Sequence, residues 1–164
     1  VSNHIDKVFY QQHITPYPQA IEAIENADLI IYGIGSLYTS VIPNLIIEEI
    51  SQAIYENPCP KVYFCNAMTQ PGETDGYTLQ DHVRALEKHS FKNPVDVAVF
   101  NESVIPDFVR ENYEAEGSYP VKLEKETENY TVIRRNLIYL DEKGRIRHNP
   151  DAVQKAVEEI LEKI

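Results

Sequence analysis

Two loops rich in glycine and hydroxyl-bearing side chains contain the residue types in this sequence that could bind a ligand. The first contains Gly33, Gly35 and Ser36, and two glycines so close together let the backbone turn sharply and let an anion approach it. A helix beginning after this loop would point its free N–H groups at a phosphate. The same residues also suit a plain strand-to-helix turn, with glycine for geometry and serine for capping, so both interpretations stay open.

The second loop, residues 66–77, is polar and long for a connection between a strand and a helix, which favours a functional role. Asn66, Thr69 and Gln70 could hydrogen-bond a base, a sugar or a carbonyl group without carrying a charge. Tyr77 could stack on a ring or bind a phosphate oxygen. This composition suits ligand binding better than covalent chemistry.

Metal binding and covalent catalysis have little support in the sequence. Glu73, Asp75 and Asp81 lie near His82 and could suggest acid–base or metal chemistry. Asp81, however, suits a capping pair with Thr78 at a helix start, and His82 lies on the apolar side of that helix, as a core histidine does. No Cys-x-x-Cys, zinc-protease or calcium-loop motif occurs, and no Gly-x-Ser-x-Gly elbow presents a serine. We therefore predict neither a metal site nor a covalent nucleophile.

The elements that must position these loops alternate between short apolar runs and helical stripes. We expect strands at residues 5–10, 27–32, 61–65 and 95–100, and helices from residue 18 and over 43–56, 78–89 and 106–116. The run at 27–32 is typical of a strand buried on both faces. This order predicts an α/β, Rossmann-like three-layer fold with a mainly parallel sheet and helices on both faces. Because ligands bind beyond the carboxyl ends of such strands, the loops that begin at Gly33, Asn66 and Asn101 should share one edge.

The last part of the chain predicts a β-hairpin and a helix. Residues 130–140 and 145–148 form the expected hairpin, with a turn at 141–144 that places Gly144 in the left-handed region. Residues 117–128 are charged and should be mostly loop, with room for one short strand. Asn149 is expected to cap the final helix, which has the clearest apolar stripe in the chain.

Size and charge narrow the class of protein. A chain of 164 residues suits a single α/β domain, residues 1–164, and its net charge of −11 argues against binding a nucleic-acid backbone. No apolar run reaches the ~18 residues of a membrane span, and no signal peptide opens the chain, so we expect a cytoplasmic protein without membrane insertion. Cys59 and Cys65 fit no zinc motif and indicate a reducing compartment. The chain starts with Val1 and its only methionine is Met68, so we expect a piece of a longer protein.

Residues 33–45 and 65–77, followed by Asp81-His82-Val83, resemble the gluconeogenesis-factor (YvcK-type) family, the bacterial branch of the CofD-like, 2-phospho-L-lactate transferase superfamily. Asn101, Ile105-Pro106 and residues 144–148 continue the resemblance. It covers nearly the whole chain but only the C-terminal half of a CofD-like family member. Two departures are that Ile34 stands where the family usually has proline, and that the family's N-terminal glycine-rich nucleotide loop is missing.

The resemblance implies a cytoplasmic, Rossmann-like binder of a nucleotide or nucleotide sugar, notably UDP-N-acetylglucosamine, linked to central carbon metabolism and cell-wall shape. In that interpretation, different side chains and backbone amides contact different parts of the ligand. Gly33, Gly35 and Ser36 would hold a phosphate, Asn66, Thr69 and Tyr77 would contact sugar or base, and Asn101 and Arg110 would close the site. No cofactor is expected for such a regulator.

Two other functions remain open. The resemblance also implies a transferase that moves a phospholactyl group from a nucleotide-linked donor, and such an enzyme would need Mg²⁺, with Asp75 and Asp81 as the nearby carboxylates. Alternatively, the acidic surface could serve a protein scaffold that binds no ligand. A homo-oligomer is a further expectation, because symmetric assemblies are common.

Overall fold

The computed structural model describes residues 4–125 and 129–163, and its centre is a four-stranded parallel sheet in the order β1-β2-β3-β4. The strands are β1 (Ile30–Tyr32), β2 (Lys61–Phe64), β3 (Val97–Asn101) and β4 (Thr131–Arg135). A two-stranded antiparallel hairpin follows, made of β5 (Ile138–Leu140) and β6 (Ile146–His148). The helices are α1 (Pro18–Glu25), α2 (Ile42–Leu45), α3 (Glu48–Glu56), α4 (Leu79–His89), α5 (Asp107–Ala115) and α6 (Pro150–Leu161), and a π-helical turn spans Leu37–Val41.

Side chains of the sheet enter two separate hydrophobic cores, as the alternation of strand residues requires. Tyr63 and Ala98 belong to the larger core, which they form with apolar side chains of the π-helical turn and of α2, α3 and α4. Val62 and Val99 belong to a smaller core that includes Ala156 of α6. The sheet therefore has helices on both faces, which confirms the predicted three-layer α/β architecture with a C-terminal hairpin and helix.

Local signals predicted several elements correctly. Proline at the first position begins α1, and Thr78 with Asp81 forms the expected capping box at the start of α4. The Asn149 side chain accepts hydrogen bonds from the first backbone N–H groups of α6, and Gly144 has a φ of +71° in the hairpin turn. Among the described residues, no helix is long and apolar enough to cross a membrane.

The prediction of a strand at residues 5–10 is wrong. This segment belongs to no strand, and it lies against helices rather than beside the sheet. Ile5 and Val8 pack on the larger core, and the backbone N–H of Val8 donates to a ring nitrogen of His89, at 2.9 Å, instead of to a strand. Apolar residues that pack on helices give this segment the same sequence pattern as a strand.

The prediction of one helix over residues 43–56 is also wrong, because the chain breaks between α2 and α3. Ile47 has an extended conformation, with φ −82° and ψ 112°, and α3 begins after it. The Ser51 hydroxyl donates to the backbone carbonyl of Leu45, which lacks a helical partner at the end of α2. The break lets both Leu45 and Ile50 reach the larger core.

Two strand predictions need smaller corrections. Residues 27–32 are predicted to be buried on both faces, but Ile31 is 42% exposed. It points away from the larger core, which contains Ile30 and Tyr32, and the smaller core does not include it. The expected hairpin strand at 130–140 divides into two strands, and its first half is β4, which pairs in parallel with β3. Leu137 marks the division, because it is fully buried and its N–H donates to the side-chain oxygen of Asn101 at 3.0 Å.

We expect Thr78→Ala to lower the free energy of unfolding by about 1 kcal/mol, because it removes the capping box of α4. Urea denaturation monitored by circular dichroism measures this change. Thr39→Ala is the control, because Thr39 is exposed, and its effect should stay within about 0.5 kcal/mol. Equal losses in the two variants would contradict a stabilising role for the cap.

Candidate functional site

The carboxyl ends of β1, β2 and β3 lie along one edge of the sheet because these strands run parallel. The structure joins the first two loops that follow them by two direct contacts. The side-chain amide of Gln70 donates to the Ser36 hydroxyl at 2.8 Å, and the hydroxyls of Tyr38 and Tyr77 lie 2.7 Å apart. The second loop is therefore held against the first, as the topology of the predicted sheet required.

The glycines of the first loop have steric reasons for being glycine. Gly33 has a φ of +99°, and a Cβ at this position would lie 3.2 Å from the backbone oxygen of Phe64. A Cβ on Gly35 would lie 3.1 Å from the Cβ of Ser40. The Gly33–Ile34 peptide bond is cis.

Backbone N–H groups in the first loop are free to bind an anion. Within the described part of the chain, the N–H groups of Gly35 and Ser36 donate to no protein acceptor. An α-helix does not begin directly after them, because Ser36 is followed by the five-residue π-helical turn. The donors available for a phosphate are therefore loop amides rather than a helix N-terminus.

The second loop presents acceptors. The side-chain oxygen Oδ1 of Asn66 and the oxygen Oε2 of Glu73 are both buried, and neither has a hydrogen-bond partner among the described residues. A buried polar atom without a partner costs about 1–3 kcal/mol, so such atoms mark places where a ligand or water donates. Asn66 is one of the residues that the sequence predicts to contact a ligand, whereas Glu73 was set aside with the neighbouring carboxylates.

Thr69 belongs to the framework of the loop and not to its free surface. Its side chain is buried and accepts a hydrogen bond from the backbone N–H of Tyr119 at 2.9 Å, and its backbone oxygen accepts one from the Ser118 hydroxyl at 2.6 Å. Further contacts between residues 67–79 and 118–122 continue this support. Sequence reasoning missed that the charged segment after α5 braces the second loop, because only long-range pairing reveals it.

Tyr77 lies in a cluster of aromatic and histidine rings. Its hydroxyl is bonded to Tyr38, its ring meets the edge of His82 at 5.5 Å between centroids, and His4 stacks on it at 6.2 Å. Burial, followed by the hydrogen bond to Tyr77, raises the pKa of Tyr38, and burial lowers the pKa of His82, so both are neutral near pH 7. His82 is 1% exposed, which confirms its interpretation as a core histidine.

Asn101 and Arg110, expected to close the site, have structural partners elsewhere. The side-chain oxygen of Asn101 accepts from the N–H of Leu137 and from the Ser103 hydroxyl, so it fastens β3 to the chain after β4. Arg110 is partly exposed and forms ion pairs with two carboxylates of its own helix, at 2.9 and 3.4 Å. Among the described residues, neither side chain forms a hydrogen bond or ion pair with the first two loops.

The residues near the site do not fit a magnesium ion. Asp81 accepts hydrogen bonds in the capping box and pairs with Arg84 at 2.8 Å, and Asp75 accepts from the N–H of Gly72 at 2.7 Å. In residues 4–125 and 129–163 no group of three or more His, Cys, Asp or Glu side chains could hold a metal ion. The nearby cysteine, Cys65, is fully buried, and burial raises the pKa of its thiol to about 12.

Two cavities lie beside this site rather than within it. The larger, of about 780 Å³, is lined by residues 7–14, by α3 and by the end of α4. The smaller, of about 460 Å³, borders the second loop at residues 75–77 and is closed on one side by residues 4–6. Neither cavity is lined by the glycines of the first loop.

We expect Gly33→Ala to lower the free energy of unfolding more than Gly72→Ala does. Both glycines have positive φ, which costs an alanine about 1–2 kcal/mol, but only at Gly33 would the added Cβ also meet another atom within 4 Å. Urea denaturation of the two variants isolates the steric contribution, since Gly72→Ala is the matched control. Equal losses would show that the contact with the Phe64 carbonyl is unimportant.

Comparison with known proteins places the chain in a family. A family model described as 2-phospho-L-lactate transferase CofD matches residues 1–138. The gluconeogenesis factor of Bacillus subtilis is 40% identical over 161 residues, covering 96% of this chain and 50% of that protein. The gluconeogenesis factor of Halalkalibacterium halodurans is 39% identical over 156 residues, covering 93% of this chain and 48% of that protein.

A solved structure agrees with these matches. The crystal structure of a protein from Bacillus halodurans superposes with a TM-score of 0.89 at 37% identity, covering 94% of this chain and 50% of that chain. The chain thus spans about half the length of the relatives it matches, and corresponds to their C-terminal half. Because the matches extend over most of its residues, the chain belongs to the CofD family and is similar there to the gluconeogenesis factors.

Proposed function

We propose that this chain contributes a binding surface for a nucleotide sugar of the UDP-N-acetylglucosamine type to a regulator of central carbon metabolism and cell shape. The observation that carries the proposal is the pairing of free donors on the first loop with free acceptors on the second. Gly35 and Ser36 offer backbone N–H groups, and Asn66 and Glu73 offer side-chain oxygens. The hydrogen bond from the Gln70 side-chain amide to the Ser36 hydroxyl joins the two loops that carry these groups.

A nucleotide sugar has the complementary groups. Its diphosphate accepts hydrogen bonds from backbone amides, and its sugar hydroxyls and acetamido N–H donate to amide and carboxylate oxygens. Inorganic phosphate alone would satisfy only the first loop. The names of the relatives support a regulatory role in gluconeogenesis, and the free thiols of Cys59 and Cys65 are consistent with a cytoplasmic location.

The residues divide unequally between binding and support in this proposal. Gly33 shapes the first loop, while Gly35 and Ser36 donate to the phosphates. Thr69 and Tyr77 support the second loop from inside, and the ligand meets Asn66 and Glu73 instead.

The test is a calorimetric and thermal-shift titration of the chain with UDP-N-acetylglucosamine, GDP and GTP, each with and without Mg²⁺. A ligand at 100 times its dissociation constant stabilises by about 2.7 kcal/mol, which a thermal shift detects. We expect stabilisation by the UDP-sugar that does not depend on Mg²⁺. A shift only with guanine nucleotide and Mg²⁺ would favour a transferase instead, and no shift with any ligand would favour a scaffold role.

Glu73→Gln should weaken UDP-sugar binding about tenfold or more, because a carboxylate acceptor contributes about 1.5–3 kcal/mol when it is hydrogen-bonded. Asp75→Asn is the matched control in the same loop, since an asparagine oxygen can still accept from the Gly72 N–H. Its dissociation constant should stay within about twofold of the wild type. Equal effects of the two substitutions would contradict the assignment of Glu73.

A further inference from the structure

Residues 4–14 form a strap that crosses the helical face of the molecule before α1. Its direct polar contacts are few and lie at separate points. Asp6 pairs with Lys88 at 2.5 Å, Val8 donates its N–H to His89, the Tyr10 hydroxyl donates to the Pro43 carbonyl at 3.1 Å, and His13 lies 3.4 Å from a carboxylate oxygen of Glu49. The strap forms one wall of the 780 Å³ cavity and, with residues 4–6, borders the 460 Å³ cavity.

The contact at His89 requires a neutral ring in one tautomer. The ring nitrogen Nε2 lies 2.9 Å from the backbone nitrogen of Val8, which can only donate, so Nε2 must carry a lone pair. The nitrogen Nδ1 lies 2.7 Å from the backbone oxygen of Ala85, which can only accept, so Nδ1 must carry the proton. His89 is 7% exposed, and Tyr38 meets its ring edge-on at 5.9 Å.

We propose that the neutral His89 ring is a latch for the strap, and that its protonation releases the strap around Val8 and opens the 780 Å³ cavity. Protonated Nε2 is a donor, so it would face the Val8 N–H with no acceptor between them. The hydrogen bond would then be replaced by two donors that face each other, neither of which has an acceptor. The latch therefore holds while the ring is neutral and opens when the ring takes up a proton at lower pH.

The surrounding charges determine which end of the strap moves. The charged and titratable groups that face His89 or line the cavity with it are Asp6, Lys7, Tyr10, His13, Tyr38, Glu48, Glu49, Tyr55 and Lys88. The side chain of Asp6 is 92% exposed, so its ion pair with Lys88 contributes little to holding the strap. At the other end, the contact between His13 and Glu49 does not involve His89, and the chain continues from there into α1. The strap therefore loosens on the side of Ile5 and Asp6, and the His13 end is retained.

The test follows the Ile5 side-chain methyl by NMR, because Ile5 packs on the larger core and is present in every variant. In the wild type, this methyl should move towards its free-chain position as the pH is lowered, with the same midpoint as the ring signals of His89. Methyls of Val62 and Val99, in the smaller core, should not move with it. A wild-type Ile5 signal that ignores pH would overturn the proposal.

Two variants separate the latch from other titrations. Val8→Pro removes the N–H donor and leaves His89 intact, so the Ile5 methyl should take its released position at both pH values. His89→Phe removes the acceptor with similar volume and should do the same. His4→Gln is the control in the strap, with a titration matching the wild type. If the pH-dependent movement persists in Val8→Pro with its midpoint unchanged, another group controls the strap and the latch is refuted, even if His89→Phe fails to fold.

Discussion

Complete burial of β2 is the constraint on which the rest of the structure depends. All four residues of Lys61–Phe64 are buried, with Tyr63 in the larger core and Val62 and Phe64 in the smaller one. Even Lys61 is retained, because its ammonium group donates to the backbone oxygens of Asn57 and Cys59. The strand is thus fixed from both faces and from both neighbouring strands.

The position of β2 constrains both candidate loops. The Phe64 carbonyl oxygen would lie only 3.2 Å from a Cβ at position 33, so β2 favours glycine at this position of the first loop. Asn66 begins the second loop two residues after Phe64. Further along this loop, hydrogen bonds from residues 118 and 119 to Thr69 hold the loop in place. The unpartnered oxygens of Asn66 and Glu73 therefore belong to a braced loop, and in the proposed function this bracing would reduce the ordering cost of binding.

The sequence predicted what local chemistry determines and failed where distant pairing decides. The capping box at Thr78, the cap at Asn149 and the turn at Gly144 are local and were predicted correctly. The strap at residues 5–10 was mistaken for a strand, and β4 for part of a hairpin, because an apolar run does not reveal whether its partner is a strand or a helix face. Likewise, the sequence does not reveal whether a threonine in a polar loop is free to bind a ligand or, like Thr69, is already hydrogen-bonded within the protein.

The strap and the second loop meet through α4, which places both buried histidines in one column. In both His82 and His89, the protonated Nδ1 donates to the backbone carbonyl four residues earlier, at 2.7 Å, so the helix itself orients the two rings. Tyr77 lies edge-on to the first ring and Tyr38 to the second, and the two tyrosine hydroxyls are bonded to each other. Four packed rings thus connect the loop with free acceptors to the residue that holds the strap. Both histidine rings are bonded to helix carbonyls and the two tyrosine hydroxyls are bonded to each other. These hydrogen bonds leave the four rings little freedom to change orientation one at a time.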